Sequence, residues 1–470
     1  MARRTDPLGS TSIHSQKGLR VSASPSHPQP TRRGLLKAAA GAGAGGILGG
    51  SIYAARSAAP AATFTPMAAT AAALTHPGLL HTQADFDRMA AKVKVNAQPW
   101  TAGWDRLVAN RHSQSTWKAS PLATVIRGGT GQNYGTLYND IAAAYQNALR
   151  WKITGNTANG NAARDILNAW SATLTRVTGN ADRFLAAGIY GCQFANAAEI
   201  MRGYSGFNLA RFQTMMLNVF YPLNNDFLLH HNTACITNYW ANWDLCNMAS
   251  ILAIGILCDD QAKVNQAIAY FKTGAGNGSI LHAVPFLYSG GLAQWQESGR
   301  DQGHTMLGVA LMGAFCQMAW NQGQDMFGYS GNRFMQGCEY IAKYNLGQSV
   351  PFTTYTWGTG QNCARMSQTV ISSASRGQNR PVWELVYNHY AKLRGLSVPN
   401  ITAYAARVRP EGGGGDYGND SGGFDQLGFG MPHAQSREQA MQTIRLFGDE
   451  VIPEFDKDPV HRSTRMRYGS

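Results

Sequence analysis

From about Leu74 onward, apolar residues recur at helical spacing between short polar turns. Thr82-Gln83-Ala84-Asp85-Phe86-Asp87-Arg88-Met89 reads as a helix start, with Thr82 as N-cap and acids in the first turn. Ile141, Tyr145, Ala148 and Trp151 define one apolar face; Ala163, Ile166, Leu167 and Trp170 define the next. Phe184, Ile189 and Phe194 lead into Ala197, Ile200 and Met201. Gly155-Asn156, Asn159-Gly160, Gly179-Asn180 and Gly203-Tyr204-Ser205-Gly206 punctuate these blocks as turns. Alternation with period two is scarce. The pattern predicts an all-α fold, an α/α barrel or a helical solenoid, and the lack of a fixed sequence period argues against a repeat array. An (α/α) toroid, an incomplete α/α barrel of helical hairpins in a single catalytic domain, meets both conditions. The Gly-rich stretch Glu411 to Asp416 and Ser421-Gly422-Gly423 reads as loop, and Ser436-Arg437-Glu438-Gln439 opens a last helix before a polar tail over 453–470.

The beginning of the chain has a different character. Thr31-Arg32-Arg33-Gly34-Leu35-Leu36-Lys37 precedes a Gly/Ala-rich run from Ala38 to Ile52 and small residues around Ser57 to Ala62. This is the form of a Tat-type export signal, so 1–62 is expected to be a targeting segment with a polar lead and 63–452 the catalytic domain. The run is too short and too rich in glycine for stable membrane insertion. A secreted or periplasmic location follows as an expectation.

Charge then narrows the partners. The chain carries a formal +13, but residues 1–61 hold eight basic side chains and one acid, which leaves +6 on the remainder. A mildly basic body suits an anionic polymer. No run of Lys and Arg interleaved with aromatics appears, so nucleic acid is not expected. The seven cysteines are scattered without a CxxC pair or metal-ligand spacing, most are expected free and buried, and an odd number leaves at least one unpaired in a monomer. No cofactor and no metal is called for.

Two polar segments interrupt the apolar pattern. In His230 to Asp244, Asn238 and Asn242 are four residues apart and would share a face if helical, beside Tyr239, Trp240 and Trp243. Amides and aromatic rings so placed can hold a sugar carboxylate and stack its ring. The second segment runs from Asn277-Gly278-Ser279-Ile280-Leu281-His282 through Tyr288 to Gln294-Trp295-Gln296-Glu297-Ser298-Gly299-Arg300-Asp301-Gln302-Gly303-His304. On a helix, Glu297, Arg300, Asp301 and His304 would line one side. Such groups beside an apolar helix are costly to bury unless paired.

These segments, with His76-Pro77-Gly78-Leu79-Leu80, Ala319-Trp320-Asn321-Gln322-Gly323 and Glu339-Tyr340-Ile341-Ala342-Lys343-Tyr344-Asn345-Leu346-Gly347, resemble the alginate lyase domain superfamily, closest to its polysaccharide lyase family 38 branch. The resemblance spans about 74–430 and implies an (α/α) toroid that cleaves a 1,4-linked uronan, alginate or glucuronan, by β-elimination. The older alginate lyases' compact Asn-Asn-His motif is replaced here by Asn238-Tyr239-Trp240, and an Asp-Gly-Ser segment of other toroid lyases begins here with Asn277. Elimination requires offsetting the C6 carboxylate, removing the C5 proton and protonating the C4 leaving oxygen. Asn242, with Asn238, and Arg300 are assigned to the carboxylate. His304 or Tyr288 would take the proton, Tyr288 could return one, and Tyr239 is a reserve. Tyr239, Trp240, Trp243, His282 and Gln296 would line the substrate groove, while Glu297 and Asp301 orient Arg300 and His304. Two other readings stay open: a glycoside hydrolase pairing Glu297 or Asp301 with Asp244 or Glu411, and a non-catalytic polysaccharide-binding protein.

Overall fold

A computed structural model describes residues 73–359, 363, 365–378 and 380–411. The chain divides into two units, 1–68 and 69–470, and all described residues belong to the second. The expected targeting segment, the Gly-rich stretch after Glu411, the helix expected at Ser436 and the C-terminal tail lie outside the described residues.

The helix start expected at Thr82 is present as a full capping box. The Thr82 hydroxyl accepts from the Asp85 amide, and the Asp85 carboxylate accepts from Thr82 N–H, which opens α1 (Gln83–Lys94). After α2 (Trp100–Ala109), a long hairpin pairs α3 (Tyr134–Thr154) with α4 (Thr157–Thr173). Gly155 closes α3 at φ 72°, a conformation glycine adopts without steric cost, and the Asn156 side chain caps α4. Strands β1 (Thr124–Ile126) and β2 (Arg176–Thr178) flank this hairpin as a short parallel pair.

Next come α5 (Asp182–Leu185), continued through a π-turn into α6 (Gly191–Ile200), and α7 (Leu209–Met215), continued likewise into α8 (Tyr221–His230). Pro222 brings no N–H to the second of these ladders, which loosens its register. Helices α9 (Ala241–Leu257) and α10 (Gln261–Thr273) form another hairpin, followed by α11 (Ile280–Ala283) and the antiparallel strands β3 (Phe286–Tyr288) and β4 (Leu292–Gln294). Helices α12 (Gln302–Asn321) and α13 (Tyr329–Asn345), the antiparallel pair β5 (Tyr355–Trp357) and β6 (Met366–Gln368), then α14 (Trp383–Tyr387) and α15 (Pro399–Val408), complete the described domain. The result is all-α in its core, an array of helical hairpins as the expected (α/α) toroid requires.

Two helices sit at the centre. α9 packs against α6, α8, α10 and α12, and almost every residue of α9 and α12 is buried. Both are apolar around their whole circumference, which only an interior position satisfies. Their first turns hold the only dense polar groups they carry, and both start at the same place.

Candidate active site

At the start of α9 and α12 the two polar segments meet, though not on the helices expected for them. Asn238 lies in the loop before α9, where its N–H donates to the Cys235 carbonyl, so it shares no helical face with Asn242. Residues 296–300 form successive turns rather than a helix, because β4 delivers them extended and α12 begins only after Asp301. The side chains converge all the same. The Glu297 carboxylate accepts from both the backbone N–H and the amide of Asn242 at 2.9 Å, and from Arg300 Nη1 at 2.9 Å. Asp301 is the N-cap of α12: one oxygen accepts from the His304 N–H at 2.7 Å, and the other lies 2.7 Å from His304 Nδ1.

Each acid thus neutralises the positive end of one central helix and orients one functional side chain. Glu297 is fully buried, and that burial pushes its carboxyl up against the opposing pull of Arg300 and Asn242. Burial acts upward on Asp301 too, but the bonds to His304 and the Arg300 charge outweigh it and hold that carboxyl below its ordinary range.

The bonding fixes the state of His304. Arg300 Nη2 stands 3.1 Å from His304 Nε2, and a guanidinium has no acceptor, so Nε2 must accept. The ring proton therefore sits on Nδ1 and is donated to Asp301. This tautomer turns the Nε2 lone pair to Arg300 and is oriented by a carboxylate, an arrangement suited to a general base once Arg300 is drawn away. Arg300 also lies over the Trp240 ring, 4.6 Å from its centroid, and Trp240 in turn packs on Trp357 at 4.5 Å.

Other expected site residues take different places. Gln296 is fully buried, its side-chain carbonyl accepting from Ala241 N–H at 3.1 Å, so it fixes the start of α9 rather than lining a groove. The Asn242 amide is likewise turned inward to Glu297, which leaves Arg300 as the more exposed donor of the array. Tyr288 hydrogen-bonds Gln294 across its own hairpin at 2.6 Å and Thr353, in the segment before β5, at 2.8 Å. The exposed His282 has its Nδ1 bound within its own turn, 3.0 Å from the Gly276 carbonyl. Tyr239 and Trp243 pack on each other at 4.6 Å and on Phe227 at 5.2 and 5.8 Å, and the Tyr239 hydroxyl accepts from Asn232 Nδ2 at 3.0 Å. Asn277 donates to the carbonyls of Thr237 and Tyr239, holding their loop, and accepts from the Tyr355 hydroxyl at 3.2 Å.

Compared with known proteins, residues 124–351 match the family model described as alginate lyase. That span is similar to an alginate lyase domain. It contains Asn238, Trp240, Asn242, Glu297, Arg300, Asp301 and His304, and it supports a polysaccharide lyase of the superfamily that the motifs resemble. Among solved structures, an alginate lyase from Bacteroides ovatus is similar at 12% identity and a TM-score of 0.42, covering 57% of this chain and 84% of its own. Alginate lyase A1-III from Sphingomonas species A1 is similar at 13% identity and a TM-score of 0.40, covering 58% and 79%. No curated protein gives a significant match.

The described residues also include elements that the sequence pattern does not reveal. Trp357 and Tyr355 come from β5, a strand too short to show alternation. A disulfide joins Cys235, in the loop before Asn238, to Cys363, in the connection between β5 and β6; the other five cysteines are free. Beneath the site, His231 and Asp244 form a fully buried pair at 2.8 Å, and Tyr270 donates to the same Asp244 oxygen at 2.6 Å. A Cβ on Gly276 would stand 2.1 Å from that oxygen, so only glycine lets this turn close over it. Among the described residues, no group of three or more His, Cys, Asp or Glu is placed to hold a metal ion, and no helix is long and apolar enough to cross a membrane.

Proposed function

We propose that this lyase cleaves a 1,4-linked uronan, alginate or glucuronan, by β-elimination, leaving an unsaturated uronate at the new non-reducing end. The observation that carries the reading is the geometry about His304: Nδ1 lies 2.7 Å from Asp301 and Nε2 lies 3.1 Å from the Arg300 guanidinium. A C6 carboxylate bound by Arg300 would draw the guanidinium away from Nε2 and bring the acidified C5 proton beside it. Arg300 stabilises the negative charge that develops on the carboxylate. Asn242 and Glu297 hold Arg300 in place, and Asp301 holds His304. The C4 leaving oxygen takes its proton either from His304 once Nε2 is protonated, or from Tyr288. Trp240, Tyr239 and Trp243 offer ring faces to the sugars. The alginate lyase family match is consistent with alginate as the substrate.

The hydrolase reading needs two accessible carboxylates across a bond. Of its four candidates, Glu297, Asp244 and Glu411 are buried and only Asp301 reaches the site surface, which disfavours it. Export is proposed on two grounds: the twin-arginine segment at Arg32-Arg33, and the Cys235–Cys363 disulfide, a bond that persists in oxidising compartments.

The test is ultraviolet absorbance of the unsaturated product on polymannuronate, polyguluronate and glucuronan in parallel. A rise on one polymer, abolished by His304→Ala, names reaction and substrate together. New reducing ends without absorbance would establish hydrolysis instead. A Tyr288→Phe variant that keeps its rate assigns the returned proton to His304.

A further inference from the structure

Three successive residues at the edge of the site, His231, Asn232 and Thr233, all have left-handed backbones, with φ of 46°, 52° and 63°. None is glycine. Each such residue costs on the order of 1 kcal/mol, and left-handed residues normally occur singly. Strain of this kind persists only where surrounding contacts enforce it. Here the contacts are specific. The His231 ring is anchored on buried Asp244, and this sets the Asn232 side chain between two others: its carbonyl accepts from Arg183 Nη2 at 3.1 Å, and its amide donates to the Tyr239 hydroxyl at 3.0 Å.

Arg183 is the unusual member. It is half-buried, lies on the Phe184 ring at 4.2 Å, and its other hydrogen bond goes to the Asn180 carbonyl at 3.1 Å. Both its acceptors are neutral, and no described carboxylate comes within ion-pair distance of it. The fold thus holds a guanidinium in a fixed orientation without supplying an anion for it. Its position relative to the reaction centre is set by two adjacent residues: Tyr239 is tied to Arg183 through Asn232, and Trp240 lies under Arg300. The two cations are thus tied to neighbouring residues of one loop, Arg183 to Tyr239 through Asn232 and Arg300 to Trp240 directly.

We propose that Arg183, oriented by Asn232, forms a second carboxylate subsite, which binds the uronate next along the polymer from the one whose C6 carboxylate meets Arg300. A uronan presents one carboxylate per sugar, so a second fixed cation beside the same aromatic pair makes binding depend on chain length as well as on the cleaved residue. This inference rests on the lyase reading, and it deepens that reading by assigning the enzyme a preference for oligomers over the shortest cleavable unit.

The test compares a uronate trimer with a hexamer of the polymer cleaved, using the full chain. For Arg183→Gln, the ratio of hexamer to trimer kcat/KM falls about tenfold, the equivalent of ~1.4 kcal/mol. Arg183→Lys, which keeps the charge and the stem, recovers most of that ratio, and this separates a lost charge from a damaged fold. An unchanged ratio in a folded Arg183→Gln protein overturns the subsite. Should no uronan be cleaved by the wild type, affinity electrophoresis in polymannuronate, polyguluronate and glucuronan gels decides independently. Weaker retardation of Arg183→Gln than of wild type upholds the anion site while the lyase reading fails; equal retardation, or none for either, overturns the anion site as well.

Discussion

At the scale of single residues, the proposed chemistry turns on which nitrogen of His304 carries its proton. Asp301 performs two tasks with two oxygens: one caps α12 and the other accepts from Nδ1. Asp301→Asn separates these tasks. Asparagine caps a helix about as well as aspartate, so stability should change little. Its amide, however, donates, and so forces the proton onto Nε2 and removes the base. We expect kcat to fall by roughly 10³- to 10⁴-fold, as when a base is held in the wrong tautomer, with the thermal midpoint nearly unmoved. Steady-state absorbance kinetics beside a melting curve checks both halves, and a variant that retains its kcat would refute the tautomer. Sequence alone supplied the residues of this arrangement, since Glu297, Arg300, Asp301 and His304 stand at spacings that favour contact on a helix. Their contacts survive although the segment is a turn, because three-residue separations also close in turns. The inward rotation of the Asn242 amide could not be read, since it depends on Glu297, 55 residues away.

At the scale of elements, the site is assembled from the starts of two helices, a hairpin and a cross-link. The Cys235–Cys363 disulfide joins the loop that carries Asn238, Tyr239 and Trp240 to the connection between β5 and β6, whose Trp357 packs on Trp240. Cys363→Ser should release that connection and loosen the aromatic wall. We expect a loss of about 2–4 kcal/mol in stability and a rise in KM larger than any fall in kcat. Melting with and without reductant, followed by kinetics of the variant, measures each part. A variant with unaltered KM would show that the hairpin has no share in binding. Scattered cysteines gave no hint of this pairing, because connectivity depends on which distant loops the fold brings together. The strands themselves, three residues each, are shorter than any periodicity can register.

At the scale of the whole molecule, the domain is closed by its own first described segment. Gln322 binds the backbone of Thr75 and Gly78, Asn321 binds Leu79, and Asn196 accepts from Leu80 N–H. Within this strap, His76 stands between Glu199 at 2.6 Å and Asp259 at 2.8 Å, with Arg202 beside both acids. The Glu199 hydrogen bond raises its pKa above the ordinary 6.5, although burial and Arg202 work downward. A histidine raised in the folded state contributes its stability fully below the unfolded value and loses it as pH rises through the folded one. We therefore expect wild type to exceed His76→Gln in stability at about pH 5.5, below the ordinary histidine value. That difference should shrink towards alkaline pH. Denaturation midpoints of both proteins across that range provide the check, and a difference independent of pH would rule out protonation as its source.

What the sequence determined by itself is local: helices from apolar spacing, their starts from capping residues such as Thr82, and the chemical character of two polar segments. These follow from interactions within a few residues, which a linear chain displays directly. What only the tertiary structure decided is pairing across the chain. It set which acid holds which base, that the Glu297 carboxylate caps a helix 55 residues away, that Cys235 meets Cys363, and that Arg183 is fixed beside Tyr239. Those partners are chosen by how the helices pack about α9 and α12, and packing depends on the shapes of all the side chains together, which no window of sequence contains.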